Sequence, residues 1–400
     1  MREELAGALE RALTSLSPRR LVAEALPPLP PKGAHVRVVA AGKAAAAMTE
    51  GALDRWGDRV EAALAVTVDP LPSGLEARVD LRAASHPLPD ERSVRAARAA
   101  LALASDLGPR DLLLCLVSGG ASSLLAAPPP GLSLDEKIAV VRALLAKGTP
   151  IAEVNLVRRH LSAVKGGRLA RAAAPARVLT LLVSDVIGGA PHDVGSGPSV
   201  ADPTTLAEAR RVLQRAGLEE PRGLDESVKP VEGLRLRARV LADPSTLAEA
   251  VARELAALGL AARVEPADQG DVRQIAELRL VAASRLAPGE ALVWATEPTV
   301  SLPPDPGRGG RAGRVALLAL RGLPARVTLL CAASDGVDGT SGGAGAIVDA
   351  SDAERADTSR LDEALARFDD GPFHAALGTQ LPGGPTGHNL TDVHVLVRAR

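Results

Sequence analysis

Short runs of aliphatic and β-branched residues alternate with longer amphipathic stretches along all 400 residues of the chain. The runs at 35–41, 63–68, 112–117, 178–184, 236–241, 291–295, 327–333 and 392–397 are short and mostly apolar, as strands largely buried on both faces are. Between them, apolar positions recur at helical spacing over 2–15, 44–53, 90–106, 133–147, 150–163, 203–216, 245–258, 271–285, 311–321 and most of 351–378. Ser133 with Glu136 three residues on forms a capping box, and Asp90-Glu91 places negative charge at a helix start. Repeated strand–helix alternation predicts two α/β domains with largely parallel sheets. The polar stretch Gly217–Gly233, broken by Pro221, Gly223 and Pro230, is the candidate linker.

Composition narrows the function. Only Trp56, Trp294, Phe368 and Phe373 are aromatic, and Tyr is absent. Base-stacking platforms, aromatic cages and membrane-interface belts all need more rings than this. The formal net charge is −1, with no run of like charge, so neither a nucleic acid nor an anionic membrane is an expected partner. Cys115 and Cys331 sit in separate apolar runs and do not suggest a disulfide framework. The segment MREELAGALERAL reads as an amphipathic helix and not a signal peptide, and the apolar runs fall short of the ~20 residues that span a bilayer. A soluble, cytoplasmic protein is expected.

Three Gly-rich turns open helices: VVAAGK (38–43), LVSGGASS (116–123) and GRGGRAGR (307–314). Such turns let backbone N–H groups converge on an anion at a helix start, and ligands of open α/β sheets bind at the carboxyl ends of strands. Gly alone explains a tight turn equally well. Two such loops, one carrying Lys43 and the other Ser118, Ser122 and Ser123, favour anion binding. The spacing is not that of the Walker A loop, since Ala44 follows the lysine. A cation at a helix start opposes the dipole, which itself asks for an anionic partner at Lys43. Arg311, in Gly309-Gly310-Arg311, is a candidate anion clamp through its planar fork of donors. Asp185, Asp335 and Asp338 follow strands and could hold Mg2+ beside phosphates, or could be turn and cap residues. In NLVRRHLSAVKGGR (155–168), read as a helix ending in Gly-Gly, Arg158 and Lys165 could bind a carboxylate or merely complement a helix C-terminus. His160 reads as structural.

Taken together and in order, AAGKAAAAM, SHPLPDERS, LVSGGASSLL, NLVRRHLSAVKGGRLA, LLVSDV with SGPSVADPTT, GRGGR and SDGVDGTSGGAGAIVD with PTGHNLTD resemble the class II glycerate 2-kinase family, whose C-terminal part is known as the MOFRL domain. The resemblance implies a Rossmann-like N-terminal domain over 1–225, a smaller MOFRL-type α/β domain over 235–400, and an active site in the interdomain cleft. It implies transfer of the ATP γ-phosphoryl to the 2-hydroxyl of D-glycerate, with Mg2+. Lys43, Arg311 and Asp185 fall on catalytic positions. Gly42, Ser118, Gly119, Gly120, Ser122, Gly309 and Gly310 fall on phosphate or nucleotide positions. Arg158, Lys165 and Asn389 fall on substrate positions, and Asp185 and Asp335 on metal positions. A monomer or homodimer is expected.

The chain departs from the family pattern in Ala295-Thr296-Glu297-Pro298, in Ala312-Gly313-Arg314 after the family's Gly-Gly-Arg, in Gly189-Ala190 after Asp185, and in His388. Two other readings follow. One is an NAD(P)H-dependent hydroxypyruvate reductase, for which no fingerprint follows a strand. The other is a nucleotide-binding paralogue of little or no activity.

Overall fold

The computed structural model describes every residue except 29–31, 69–73, 76 and 230–233. Contacts divide the chain into two compact units, Pro18–Leu241 and Met1–Ser17 together with Ala242–Arg400.

The first unit is built on β1 (Val36–Ala41), β2 (Ala62–Thr67), β3 (Asp80–Ala83), β4 (Leu112–Ser118), β5 (Arg177–Val183) and β6 (Arg235–Ala242), in the order β3-β2-β1-β4-β5-β6. The pairs β2–β3, β1–β2, β1–β4 and β4–β5 are parallel. This is the doubly wound Rossmann order, in which the direction of winding reverses between β1 and β4. Continuous apolar runs suit strands covered on both faces: every residue of β4 is buried. Ala96, Ala97, Ala100 and Ala104 of helix Glu91–Ala104 pack on Val39, Leu113, Cys115 and Val117, so alanine brings helix and sheet close. Each fully buried Leu or Val here contributes about 1.5–3 kcal/mol.

The second unit contains β7 (Ala261–Val264), β8 (Asp268–Asp271), β9 (Glu290–Thr299), β10 (Val327–Ala333), β11 (Gly343–Asp349), β12 (Gln380–Pro382) and β13 (Asp392–Arg398). Their order is β12-β11-β10-β13-β9-β7, with β8 also on β9. The pairs β10–β11, β10–β13, β11–β12 and β9–β13 are antiparallel, and only β7–β9 and β8–β9 are parallel. A largely parallel second sheet is therefore a wrong expectation. The 334–342 connection holds no helix, and a parallel crossover needs one or a comparably long link. Hydropathy misses β11 because its first residues are Gly343-Ala344-Gly345.

Contacts also redraw the boundary implied at 1–225 and 235–400. Helix Arg2–Ser15 joins the second unit: it packs on helix Pro244–Ala257, and Arg2 pairs with Asp349 at 2.8 Å and with Asp352. β6, placed with the C-terminal half from sequence, extends the first unit's sheet. Most of Gly217–Gly233 is packed polypeptide. Asp225 N donates to His160 O (3.0 Å) and Val228 N to Gly166 O (2.8 Å), and Ser227 and Val228 are buried. Residues 230–233 of that stretch lie outside the described residues. No helix among the described residues is long and apolar enough to cross a membrane.

Candidate active site

In the first unit the chain places Gly42-Lys43 after β1 and Ser118-Gly119-Gly120 after β4, at the switch point where open α/β sheets bind ligands. Register puts Ala41 beside Val117, so the two loops leave the sheet side by side. Gly42 has φ +127°, and a Cβ there would lie 2.1 Å from Ser118 Oγ and 2.6 Å from the Ser118 carbonyl oxygen. No side chain fits this approach. Ala44 N donates to Ser118 Oγ (3.0 Å) and Lys43 N donates to Gly119 O (2.9 Å). Ser118 is thus fully buried and fixes one loop to the other. Gly120, at φ +86°, would carry a Cβ 3.6 Å from Lys43 Cγ and 3.3 Å from His86 Cδ2. Lys43, His86 and Gly120 are neighbours.

A cavity of about 320 Å3 lies beside Gly120 and His86 and is lined also by Ser122, Lys137, Arg158, Lys165 and Asp185. The structure therefore gathers Ser122, Arg158, Lys165 and Asp185 around one space. Ser122 and Ser196 share a hydrogen bond at 2.9 Å. Lys165 is 1% exposed, and its Nζ donates to Leu125 O (2.8 Å) and Gly195 O (3.4 Å). Arg158 donates to Asn155 Oδ1 at 3.1 Å. Helix Ile151–His160 ends before Lys165, and Gly166 and Gly167, both at positive φ, make the turn into helix Arg168–Ala172. Lys165 is thus a buried loop lysine and not part of a helix C-terminus. His160 is buried between Leu156 O (2.9 Å) and Glu226 (3.0 Å), as a structural residue should be.

Lys137, which sequence patterning hides inside an ordinary helix, completes the cationic wall. It is 4% exposed and its Nζ donates to Leu161 O. Burial, with Arg158 and Arg168 nearby, pulls this amine down to about 7. Burial, with Lys137 and Arg158 nearby, pulls Lys165 well below the usual lysine range. Arg159, by contrast, faces Asp193 (3.3 Å) and Asp202 (3.1 Å).

In the second unit Arg311 opens helix Arg311–Ala319. Its guanidinium donates to Asp392 Oδ1 at 3.0 Å. Burial pulls its pKa down, but Asp392, Glu297 and Asp338 outweigh this and hold it above the usual arginine value. Asp392 begins β13 and pairs across the sheet with Ala333 of β10 and Thr296 of β9. It is buried, and burial with Asp338 and Asp335 nearby outweighs Arg311 and raises its carboxyl to about 7. Nothing in the sequence separates Asp392 from an ordinary strand-start residue; only the folded register sets it against Arg311. Asn389, three residues earlier, is nearly buried.

Two expectations change here. Asp338 accepts from Ala312 N (3.0 Å) and Gly313 N (2.8 Å), so it occupies the helix N-terminus that GRGGRAGR suggested for phosphate. Gly309 and Gly310 are glycines because protein fills the space: a Cβ on Gly310 would lie 2.1 Å from Asp338 Cγ, and one on Gly309 2.5 Å from Asp370 Oδ2. Gly309 N donates to Thr340 Oγ1 (3.2 Å). The two residues shape the entry of Arg311.

Among the described residues no group of three or more His, Cys, Asp or Glu side chains is arranged to hold a metal ion. Mg2+ bound with a nucleotide needs only one or two carboxylates, the phosphates and water supplying the rest. Asp392 Oδ2 is buried with no hydrogen-bond partner among the described residues, and Asp335 is close enough to raise its pKa. An orphaned carboxylate oxygen with a second carboxylate near it fits that chemistry.

Comparisons with known proteins cover the whole chain. The family described as a domain of unknown function (DUF4147) matches residues 4–230, and the MOFRL family matches residues 290–392. A Pyrococcus horikoshii protein named glycerate 2-kinase is 32% identical, with 90% of this chain and 87% of the relative covered. An Agrobacterium vitis protein named "Putative hydroxypyruvate reductase" is 37% identical, covering 99% and 94%. The crystal structure of a Thermotoga maritima glycerate kinase superposes with a TM-score of 0.88 at 29% identity, covering 99% of both chains. With both family signatures in order and full-length relatives, the chain belongs to the class II glycerate 2-kinase (DUF4147–MOFRL) family.

Proposed function

We propose that the protein transfers the γ-phosphoryl of ATP to the 2-hydroxyl of D-glycerate, giving 2-phosphoglycerate and ADP. The observation that carries this reading is the pair of stitched loops at the switch point of the first unit, which holds Lys43 next to Gly120 and a cation-lined cavity. Transfer of a phosphoryl group needs positioning and charge stabilisation more than covalent chemistry from the protein. Lys43 neutralises charge on the transferring group, and the Gly119-Gly120 turn gives its phosphate oxygens room. Ser118 acts mainly by fixing the loops. Arg158 and Lys165 take the substrate carboxylate, and Asp185, on the same cavity, orients the attacking hydroxyl. In the second unit Arg311 is the candidate anion-binding side chain through its planar fork, and Asn389 a candidate substrate-binding residue.

Asp335 with Asp392 would hold Mg2+, and Asp185 is the alternative carboxylate for it. When bound, that ion neutralises phosphate charge. With so few rings in the chain, adenine lies against aliphatic side chains, and most of the nucleotide's binding energy comes from its phosphates. The test is a coupled assay of D-glycerate with MgATP that resolves 2- from 3-phosphoglycerate. The reductase reading draws only on a relative's name. It requires NAD(P)H oxidation with hydroxypyruvate.

A further inference from the structure

The cavity beside Gly120 holds more than a three-carbon acid explains. Its lining carries Lys137 and Lys165, each more than nine-tenths buried, with Arg158 near both. The ammonium groups are held by backbone carbonyls of Leu161, Leu125 and Gly195, and no carboxylate pairs with either lysine among the described residues. Two buried amines whose charged forms repel each other and which have no carboxylate in ion-pair contact among the described residues would be held in their charged forms by an anion from outside. The cavity also has an aliphatic lining: Leu88, Ile138, Val141, Leu145 and Ile151. Leu88, Leu145 and Ile151 are 47%, 47% and 60% exposed, among the most exposed large apolar side chains described. Three of these on one cavity rim form an apolar patch in search of a partner.

Glycerate offers its carboxylate to the cationic lining and nothing to the aliphatic lining. A ligand site this size, about 320 Å3, falls in the range of small-molecule pockets that combine an apolar wall with a few polar groups.

We propose that this cavity binds 2-hydroxy acids with a branched aliphatic side chain, the carboxylate meeting Lys137, Lys165 and Arg158 and the side chain lying along Ile138, Val141 and Leu145. The inference rests on the kinase reading for the fate of the hydroxyl group, but not for binding. Any such acid turned over would exchange its hydroxyl O–H for an O–P bond, ATP leaving as ADP.

Calorimetric titration of the full chain with D-glycerate and with D-2-hydroxy-4-methylpentanoate tests the assignment, alongside ADP release with each. The branched acid should bind at least tenfold more tightly than D-glycerate. Lys137→Met should weaken both acids at least tenfold. Leu145→Asp, on the exposed rim where folding is not at stake, should cut the preference for the branched acid at least fivefold. Phosphorylation of D-glycerate with no binding of the branched acid would overturn the inference and leave the kinase reading standing. Binding of the branched acid with no ADP released from either acid would leave the inference standing and remove the kinase reading. Displacement of the branched acid by adenosine would assign the cavity to the nucleotide and overturn the inference.

Discussion

In the unit Pro18–Leu241 the buried lysines of the cavity face neutral partners: Lys165 and Lys137 rest on carbonyls. In the other unit Arg311 lies among carboxylates, with Asp392 bonded to it and Glu297 and Asp338 raising its pKa. The sheets differ in the same way. A parallel sheet gathers strand C-termini and helix starts at one edge, where turns of glycine leave open donors. The mixed sheet brings the start of β13 between the ends of β9 and β10. That arrangement delivers a strand-start carboxylate, and Asp338 already closes the helix N-terminus there. The first unit is prepared for anions; the second holds one arginine in a fixed, charge-compensated setting.

The largest break in this comparison is Lys43→Ala. Removing the one loop cation beside Gly120 should lower kcat by about 10³-fold or more in an ADP-release assay, with protein stability unchanged, the scale of losing a preorganised charge partner. Next comes Gly42→Ala. With φ at +127° and Ser118 Oγ at 2.1 Å from the new Cβ, the loops must part, and a loss of about 3 kcal/mol or more in denaturant unfolding should accompany the fall in activity. Asp392→Asn sharpens the other side. It leaves Arg311 without its ionic partner, and kcat should fall about 10- to 100-fold, while Arg311→Lys should not rescue, because the ammonium lacks the planar fork.

The pH response should separate the units. Asp392 sits at about 7 and Asp370, raised by burial against Arg314, at about 6. Both fold with a higher pKa than an unfolded carboxyl near 4, so their folded state binds more protons between about pH 4 and 7. Stability from these two groups is fully present below that window and is lost as pH rises through it. Glu226 behaves oppositely: its bonds to Lys229, Leu206 N and His160 overcome desolvation and depress it to about 2. Its contribution is present above about pH 4.5 and fades as pH falls toward 2. Hydrogen exchange on acidification from pH 7 to 3 should therefore show protection lost first around Glu226, and Asp370→Asn should flatten the response of the second unit. The smallest effect belongs to Ser118→Ala, which strands the buried Ala44 N–H and should cost about 1–3 kcal/mol in unfolding.

Much of this was legible in the chain. Short, mostly apolar runs located β1, β2, β4, β5, β9, β10 and β13, because strands covered on both faces need little polar alternation. The loops after β1 and β4 stood out by Gly beside Lys and Ser, and the tight approach is there: Gly42 has φ +127° and no room for a side chain against Ser118. What escaped depended on pairing partners distant in sequence. β6 reads as a strand from either side of a boundary, and only hydrogen bonding assigns it to the first sheet. β11 hides behind glycine. Lys137 looks like a surface helix lysine until residue 161 folds over it. Gly309 and Gly310 are ambiguous in the sequence, because glycine close-packed against Asp370 and Asp338 has the same signature as glycine round a phosphate.

The most direct test of the account is one reaction: purified protein with D-glycerate and MgATP, products resolved by phosphate position, wild type beside Lys43→Ala. The account predicts 2-phosphoglycerate and ADP in equal amounts from the wild type, and at least a thousandfold slower formation from Lys43→Ala. Release of 3-phosphoglycerate, no ADP at all, or undiminished turnover by Lys43→Ala would contradict it.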